Sequence, residues 1–306
     1  MKENKTLQRG RYLDTDIYFN EFDKDFDNYD FEQIKCQYLS TFVLKNGSMW
    51  ATGHNYYGQL GLGDTANRNI FTKVNIDNVK KFFYSFIYHG FIQKNDNTIW
   101  TCGKNDYGQL GLGDNINRDT FTKIDIDNVK NIACGGDHTF ILKNDGNLYS
   151  CGKNSYGQLG LNDNVNRNVF TKVDIDNVKS IYCGLEYTFI IKNDGSIWSC
   201  GLNNYGQLGL GDTSERNVFT KVDIDNVKDV ICGGNHTFIL KNDGSVWACG
   251  YNNYGQLGLG DTTSRNVFTK VDIDNVKDVI CGGNHTFILK NDGSVWACGY
   301  NNYGQL

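Results

Sequence analysis

The sequence contains no proline, only two methionines and no long uninterrupted hydrophobic run. The absence of proline, together with 35 glycines and 13% aromatic residues, excludes collagen-like and disordered classes of chain. The longest apolar stretch, residues 82–92, is interrupted by Ser85, His89 and Gly90, so no transmembrane helix is predicted. No secretion signal opens the chain. We therefore predict an intracellular protein, cytoplasmic or nuclear and not secreted, with no membrane partner and with reduced cysteines.

The sequence also has no excess of positive charge. The formal net charge at pH 7 is −5, and the acidic side chains are concentrated in residues 12–35. The basic side chains of the first eleven residues are too few to neutralise a run of phosphates. Nucleic acid is therefore an unlikely partner on charge alone.

What the sequence does contain is a repeat of 49 residues. The string Tyr-Gly-Gln-Leu occurs six times, and its tyrosines lie at positions 57, 107, 156, 205, 254 and 303. We divide the chain into a tail, residues 1–21, and one domain, residues 22–306. The repeat units are 36–84, 85–133, 134–182, 183–231, 232–280 and a partial unit, 281–306.

Each unit holds four short runs that are typical of β-strands. In the fifth unit they are Val227–Cys232, Thr237–Leu240, Val246–Cys249 and Val267–Val271. The second run is apolar on both faces, whereas the fourth alternates with polar residues, so the second is predicted to lie inside and the fourth outside. Gly244 follows an aspartate between two runs, which predicts a hairpin turn with positive φ. Four antiparallel strands repeated at this period predict an all-β fold, a β-propeller.

The repeated motifs resemble a known family. They are G-x-N-x-Y-G-Q-L-G-L-G-D, the C-G-G-x-H-T of Cys134–Thr139, Cys232–Thr237 and Cys281–Thr286, and D-G-x-V-W followed by C-G. These motifs closely resemble the regulator of chromosome condensation repeats, and the resemblance covers residues 36–306. It implies a propeller, usually of seven blades. Members of that family serve in nucleotide exchange on a Ran-type GTPase, in light sensing, in enzyme inhibition and as binding platforms.

The number of blades leaves two arrangements open. Phe26, Phe31 and Ile34 fall at the repeat positions of Val222, Val227 and Val230, so residues 22–35 are predicted to complete the last blade of a closed six-bladed ring. The alternative is a truncated seven-bladed propeller with an open sheet edge, which would be prone to association. We favour the six-bladed ring.

The glycine-rich loop has two interpretations. Its G-x-x-G-x-G spacing is similar to a phosphate-binding loop, but no helix pattern and no Lys-Ser/Thr pair follow it. We therefore predict that the first glycine of each loop is structural, a set that comprises Gly58, Gly108, Gly157, Gly206 and Gly255. The Asp and Arg that recur four residues apart in this loop, such as Asp64 and Arg68, are predicted to clamp the loop or to contact the next blade.

One repeat position carries histidine in most units: His89, His138, His236 and His285, with Ser40 and Tyr187 in the others. Ligands of one metal ion must converge within about 2.1 Å of it, and equivalent residues of different blades lie much farther apart. We therefore predict buried structural imidazoles. No metal, no cofactor and no catalytic residue is expected.

A partner site is predicted where units depart from the repeat. At the loop before the histidine position, the departures are Tyr38, Phe86, Tyr88, Glu186 and Tyr187. Equivalent loops lie on one face of a propeller, so these residues are predicted to form an aromatic-rich interface. The competing explanation for these departures is sequence drift in blades that tolerate it, or local packing.

We predict a non-catalytic protein-binding propeller. The alternative is guanine-nucleotide exchange on a Ran-type small GTPase. In the family, exchange uses an insertion that protrudes from one blade, and the uniform repeat length leaves no room for one.

Overall fold

The computed structural model describes residues 31–306, which consist of 23 β-strands joined by turns and loops, with no helix in that range. The strands form six antiparallel sheets, five of four strands and a last one of three. The sheets are arranged in a ring as a six-bladed β-propeller, so the predicted all-β propeller is confirmed. Residues 31–306 contain no helix that is long and apolar enough to cross a membrane.

Each sheet is one blade, and its strands follow one another in chain order. The first blade holds β1 (Gln33–Cys36), β2 (Ser40–Lys45), β3 (Ser48–Gly53) and β4 (Arg68–Lys73), and the second holds β5 (Val79–Tyr84), β6 (His89–Lys94), β7 (Ile99–Gly103) and β8 (Arg118–Ile124). The third holds β9 (Val129–Cys134), β10 (His138–Lys143), β11 (Leu148–Gly152) and β12 (Arg167–Lys172). The fourth holds β13 (Val178–Cys183), β14 (Tyr187–Lys192), β15 (Ile197–Gly201) and β16 (Arg216–Lys221). The fifth holds β17 (Val227–Cys232), β18 (His236–Lys241), β19 (Val246–Gly250) and β20 (Arg265–Lys270), and the sixth holds β21 (Val276–Cys281), β22 (His285–Lys290) and β23 (Val295–Gly299).

The pattern of burial explains why the second strand of a blade is apolar and the fourth is mixed. In β18 every residue except the last is buried, because both faces of this strand pack against neighbouring blades. In β20 no residue is fully buried. The first strands of adjacent blades contact each other, so they surround the central axis and the fourth strands form the outer wall. The predicted inner and outer strands are thus confirmed.

The hairpin between the second and third strands has the predicted backbone. Gly244 has a φ of 81°, and Asn97, which takes the same position in the second blade, has a φ of 65°. Asparagine tolerates this left-handed region better than most residues, so the blade keeps its turn without the glycine.

Apolar contacts between blades make the core. Phe140 and Leu142 of the third blade pack with Ile190 and Phe219 of the fourth in one buried cluster. Burial of each such side chain contributes roughly 1.5–3 kcal/mol, so each blade depends on its neighbour for much of its stability.

The sixth blade differs because residues 276–306 contain no fourth strand. Trp296 and Val295 are 58% and 62% exposed there, whereas Val246, the counterpart of Val295 in the fifth blade, is fully buried. A cavity of about 330 Å³ beside Gly258 and Trp296 takes the place that a phenylalanine of the fourth strand fills in the other blades.

The predicted completion of this blade concerns residues 22–35. Of these, residues 33–35 lie in β1, which pairs with β2 of the first blade. Phe26 and the rest of residues 22–30 lie outside the described residues, so that part of the prediction stays a prediction.

Candidate protein-binding face

Two kinds of loop lie at the same end of every blade. Because the strands are antiparallel and sequential, the loop from the first to the second strand and the loop from the third to the fourth emerge together. We call the first kind inner loops and the second kind YGQL loops, and we call the end that carries them the upper face. The backbone N–H of His54, in a YGQL loop, donates to the carbonyl of Leu39, in an inner loop, at 2.9 Å. The lower face carries the other turns.

The YGQL loops fasten each blade to the next. A Cβ atom added to Gly108 would lie 2.3 Å from the Cα of Asn168, in the fourth strand of the following blade. The backbone N–H of Gly113 donates to the carbonyl of Asn168 at 2.8 Å. Gly111 lies against the ring of Phe170 on the same strand. The glycines therefore permit close approach to a neighbouring strand.

The backbone carbonyl of the glutamine in the same loop also contacts the next blade, in its second and third strands. The carbonyl of Gln109 accepts a hydrogen bond from Thr139 Oγ1 at 2.8 Å, and Cys151 Sγ lies 3.5 Å from it; both belong to the next blade. The Gln158 carbonyl receives the equivalent bonds from Thr188 and Cys200. These contacts account for the loop without a bound phosphate.

The histidine position forms a second set of bonds between blades. His138 Nε2 lies 2.9 Å from Thr188 Oγ1, and His89 and His236 make the same bond to the threonine of their next blade. Because the threonine hydroxyl donates to a glutamine carbonyl, it must accept from the imidazole Nε2–H. Burial lowers the pKa of these three histidines to about 3, so they are neutral. Their Nδ1 atoms have no hydrogen-bond partner among the described residues.

His285 completes this repeat position. It is less buried than the other three, because it lies in the sixth blade. Burial lowers its pKa as well. No group of three or more His, Cys, Asp or Glu residues within 31–306 has the arrangement of a metal site.

Tyr187 takes the histidine position in the fourth blade. It is fully buried, and its hydroxyl donates to the carbonyl of His236 at 2.6 Å and lies 3.2 Å from Thr237 Oγ1. The phenol thus reaches the same threonine as an imidazole would. A side chain with no exposed surface cannot contact a partner, so Tyr187 is removed from the predicted interface.

The repeated Asp and Arg side chains clamp their own loops. Asp114 Oδ2 and Arg118 Nη2 lie 2.6 Å apart, and Arg118 Nη1 donates to the carbonyl of Ile116 at 2.6 Å. The carboxylate also accepts from the backbone of Ile116, which is the main reason that the pKa of Asp114 is lowered. Of the two roles considered from the sequence, the structure shows the clamp.

Three of the predicted interface residues lie close together. The backbone N–H of Tyr38 donates to the carbonyl of Phe86 at 3.2 Å, and Tyr38 is 67% exposed. The ring of Tyr88 lies 4.9 Å from that of Tyr57 and 5.5 Å from that of His54, measured between centroids. An aromatic cluster therefore covers the upper face of the first two blades.

Glu186 has a different environment from this cluster. Its Oε1 lies 2.8 Å from Lys153 Nζ, and Gln158 Nε2 donates to its other oxygen. Burial raises the pKa of Glu186, and the lysine opposes that shift. Asp137 and Lys104 form the equivalent ion pair one blade earlier, with 3.0 Å between Oδ1 and Nζ. Glu186 thus joins two neighbouring blades at the upper face.

A row of tyrosines continues the aromatic surface over the other blades. The ring centroids of Tyr205 and Tyr251 lie 4.6 Å apart, those of Tyr251 and Tyr254 5.9 Å, those of Tyr254 and Tyr300 4.8 Å, and those of Tyr300 and Tyr303 5.8 Å. We call these five residues the tyrosine arc. It combines the tyrosines of the last three YGQL loops with the tyrosines that follow Cys-Gly in the fifth and sixth blades.

In the second and third blades, the residue that follows Cys-Gly is a lysine, whereas the fifth and sixth blades have a tyrosine at this position. Lys104 Nζ lies 5.6 Å from the ring of Tyr57 and 5.4 Å from that of Tyr107. Lys153 Nζ lies 5.6 Å from Tyr107 and 5.2 Å from Tyr156. Each ammonium group is thus held between two aromatic faces, which is a favourable cation–π arrangement. Aromatic rings thus run along the upper face, and over these two blades they alternate with lysine ammonium groups.

Family models match most of the repeat region. A model described as the regulator of chromosome condensation (RCC1) repeat matches residues 96–142, 145–191, 194–240 and 243–289. A second model with that description matches residues 129–158, 178–207, 227–256 and 276–305. The chain belongs to the regulator of chromosome condensation repeat family. Among curated protein sequences no match was found.

Solved structures support the fold of this RCC1-repeat protein. Yeast RCC1 (Prp20) bound to Kap60 is similar with a TM-score of 0.79 and 19% identity, over 91% of this chain and 72% of that chain. Prp20p from Saccharomyces cerevisiae has a TM-score of 0.80 and 19% identity, over 91% and 74%. Human WBSCR16 has a TM-score of 0.77 and 24% identity, over 89% and 77%. At these identities the likeness shows the fold alone.

The sequence analysis of this RCC1-repeat protein missed the tyrosine arc. Of the Tyr-Gly-Gln-Leu string, only the glycine was assigned a role there. The glutamine and the leucine also contact the next blade, because Leu60 lies in one buried cluster with Phe82. A signal was available, because the residue after the glycine that ends the third strand changes along the chain from His54 through two lysines and a leucine to Tyr251 and Tyr300. In the structure this varying position lies on the upper face.

Proposed function

We propose that this RCC1-repeat propeller is a non-catalytic protein-binding module whose partner docks on the upper face. The observation that carries the proposal is the distribution of exposed apolar side chains. The exposed tyrosines of the described residues are on upper-face loops and comprise Tyr38, Tyr56, Tyr205, Tyr254 and Tyr303. Within residues 31–306, no exposed large hydrophobic side chain lies on a lower-face turn. Tyrosine is enriched at protein interfaces, where it supplies apolar area together with a hydrogen-bonding hydroxyl.

The titratable groups of the upper face favour binding over catalysis. The acids Asp137 and Glu186 are each engaged by a lysine of the preceding blade. The buried imidazoles are held neutral between blades, and burial raises the pKa of thiols such as Cys151 well above its usual value. The imidazoles and thiols are buried, and their shifted pKa values do not suit proton transfer near neutral pH.

Affinity capture with matched variants tests the proposal. A triple variant, Tyr38→Ser with Tyr205→Ser and Tyr254→Ser, removes three exposed aromatic rings without touching the core. The control removes three exposed valines from the outer wall and is Val169→Ser with Val218→Ser and Val267→Ser. Tagged proteins capture partners from host-cell extract, and mass spectrometry quantifies each captured protein. A partner kept by the native protein and the control but lost by the tyrosine variant is expected, with all three melting temperatures within a few degrees.

Two results would count against the upper face. Equal capture by the tyrosine variant would place the partner elsewhere. Loss of the same partner from the valine control would show that general surface apolarity, and not this face, drives capture.

Guanine-nucleotide exchange is the second candidate function. Binding to Gsp1p and histones is described for Prp20p, and this is a property of that protein. Every YGQL loop from the first to the fifth blade has the same length, from 54–67 to 251–264, so none of them carries a protruding insertion. We expect no acceleration of GDP release from a Ran-type GTPase. Acceleration by orders of magnitude would replace the binding module with an exchange factor.

A further inference from the structure

A polar cavity opens on the lower face between the second and third blades. Its volume is about 360 Å³, and its lining includes Lys80, Lys81 and Lys130, together with asparagine side chains and Gln93. No carboxylate is part of the lining. Three lysines therefore line one cavity, and the lining contains no acid to balance them.

The second blade departs from the repeat at this cavity. Gln93 stands where the third to sixth blades have leucine or isoleucine, for example Leu142 and Leu240. Its cross-strand partner is Lys81, which stands where those blades have asparagine, serine or aspartate. Two opposed positions thus differ together in the second blade. A shared task for the two side chains explains the pair.

Gln93 is a buried polar group that has no partner of its own. It is 5% exposed, and its side-chain amide makes no hydrogen bond to any residue in 31–306. The amide lines the cavity. It is therefore in position to donate a hydrogen bond to a ligand inside the cavity.

The lysines are also without ion pairs in the described part of the chain. Lys81 Nζ lies 4.8 Å over the ring of Phe83, and Lys80 Nζ lies 3.4 Å from Asn97 Oδ1. Lys130 Nζ lies 3.5 Å from the carbonyl of Lys179. Burial, and then the charge of Lys80, lower the pKa of Lys81. An anion in the cavity would relieve this repulsion.

We propose that this cavity binds a compact phosphate-bearing anion, with Lys80, Lys81 and Lys130 on its oxygens and the Gln93 amide as a hydrogen-bond donor. Ammonium groups and amide N–H groups are the donors that phosphate oxygens accept. The volume lies at the small end of ligand sites, which suits a phosphate group or a pair of them. The site lies on the face opposite the aromatic loops and does not depend on the partner proposed above.

Isothermal titration of the full chain with inorganic pyrophosphate tests the site. The main variant, Lys81→Ser with Gln93→Leu, restores residues that the chain itself uses at Ser180 and Leu142, so the blade keeps its fold. The control, Lys228→Ser, removes one lysine from the equivalent strand of the fifth blade. We expect a loss of affinity of about tenfold or more in the main variant and little change in the control.

A second variant and a second source of phosphate complete the design. Lys80→Ser changes an exposed side chain and should weaken pyrophosphate binding severalfold. Flotation with phosphatidylcholine vesicles that contain phosphatidylinositol bisphosphate tests a lipid headgroup, and vesicles of phosphatidylcholine alone are the blank. Binding of either probe that is lost in both cavity variants supports the site and identifies its source. Binding of neither probe, or binding that the control loses equally, overturns it.

Discussion

Alanine at Gly157 or at Gly255 gives a matched test of the fastening by the YGQL loops. Both glycines hold the same loop position, and their φ angles are 77° and 76°. The strain of alanine in this left-handed region, about 1–2 kcal/mol, is therefore common to both variants. Only Gly157 faces a fourth strand, where the new Cβ would lie 2.3 Å from the Cα of Asn217. Around Gly255 the nearest atom is the carbonyl oxygen of Asp261, at 3.9 Å.

The two variants should therefore differ in stability. Overpacking against a neighbouring backbone adds about 1–3 kcal/mol to Gly157→Ala alone. A difference of 1 kcal/mol shifts the melting temperature by about 2–4 °C for a domain of this size, so Gly157→Ala should melt several degrees below Gly255→Ala. Differential scanning calorimetry measures the two side by side. Equal melting temperatures would refute the idea that the glycine is required by the adjacent strand.

Two further predictions concern ionisable groups that the fold buries in whole or in part. The three buried histidines have a pKa of about 3 in the fold, against about 6.5 when unfolded, so stability falls as pH is lowered from 6.5 toward 3, by up to about 1.4 kcal/mol per pH unit for each histidine. His138→Tyr, which copies the residue of the fourth blade, should reduce that slope between pH 6.5 and 5 in urea titrations, and an unchanged slope would contradict the assignment. In a double-mutant cycle, Lys153→Leu and Glu186→Asn should show a coupling of about 1 kcal/mol, because the pair is half-buried, and additive effects would mean that the ion pair contributes nothing.

The fold was predictable because the apolar pattern and the turn residues of each repeat indicate its strands and hairpins. Thr237–Leu240 is apolar on both faces in the sequence, and only a strand covered on both sides buries such a run. The hairpin turns followed from glycine and asparagine at positions that need positive φ. Periodicity and turn chemistry are local properties, so one sequence was sufficient to predict a propeller of four-stranded blades, with six blades favoured over seven.

The candidate site was only partly predictable, because exposure depends on the neighbouring blade. Tyr38 and Tyr187 both depart from the repeat, yet Tyr38 lies on the surface and Tyr187 replaces an imidazole in the core. The sequence shows that each position differs and does not show which way the side chain points. Contacts between blades join residues about 50 positions apart, and only the folded ring brings them together.

The sequence by itself thus determined the strands and their order in each blade, because these follow from short-range patterns repeated along the chain. The arrangement of six sheets in a ring came from the tertiary structure. The tertiary structure decided which of the repeated side chains are fasteners and which are surface. Gly108 and Gln109 contact the next blade, whereas the neighbouring Tyr107 lies on the aromatic upper face. The physical reason is packing. A glycine is required at these positions because a strand of the next blade lies too close for a Cβ atom, and only the folded ring brings that strand there.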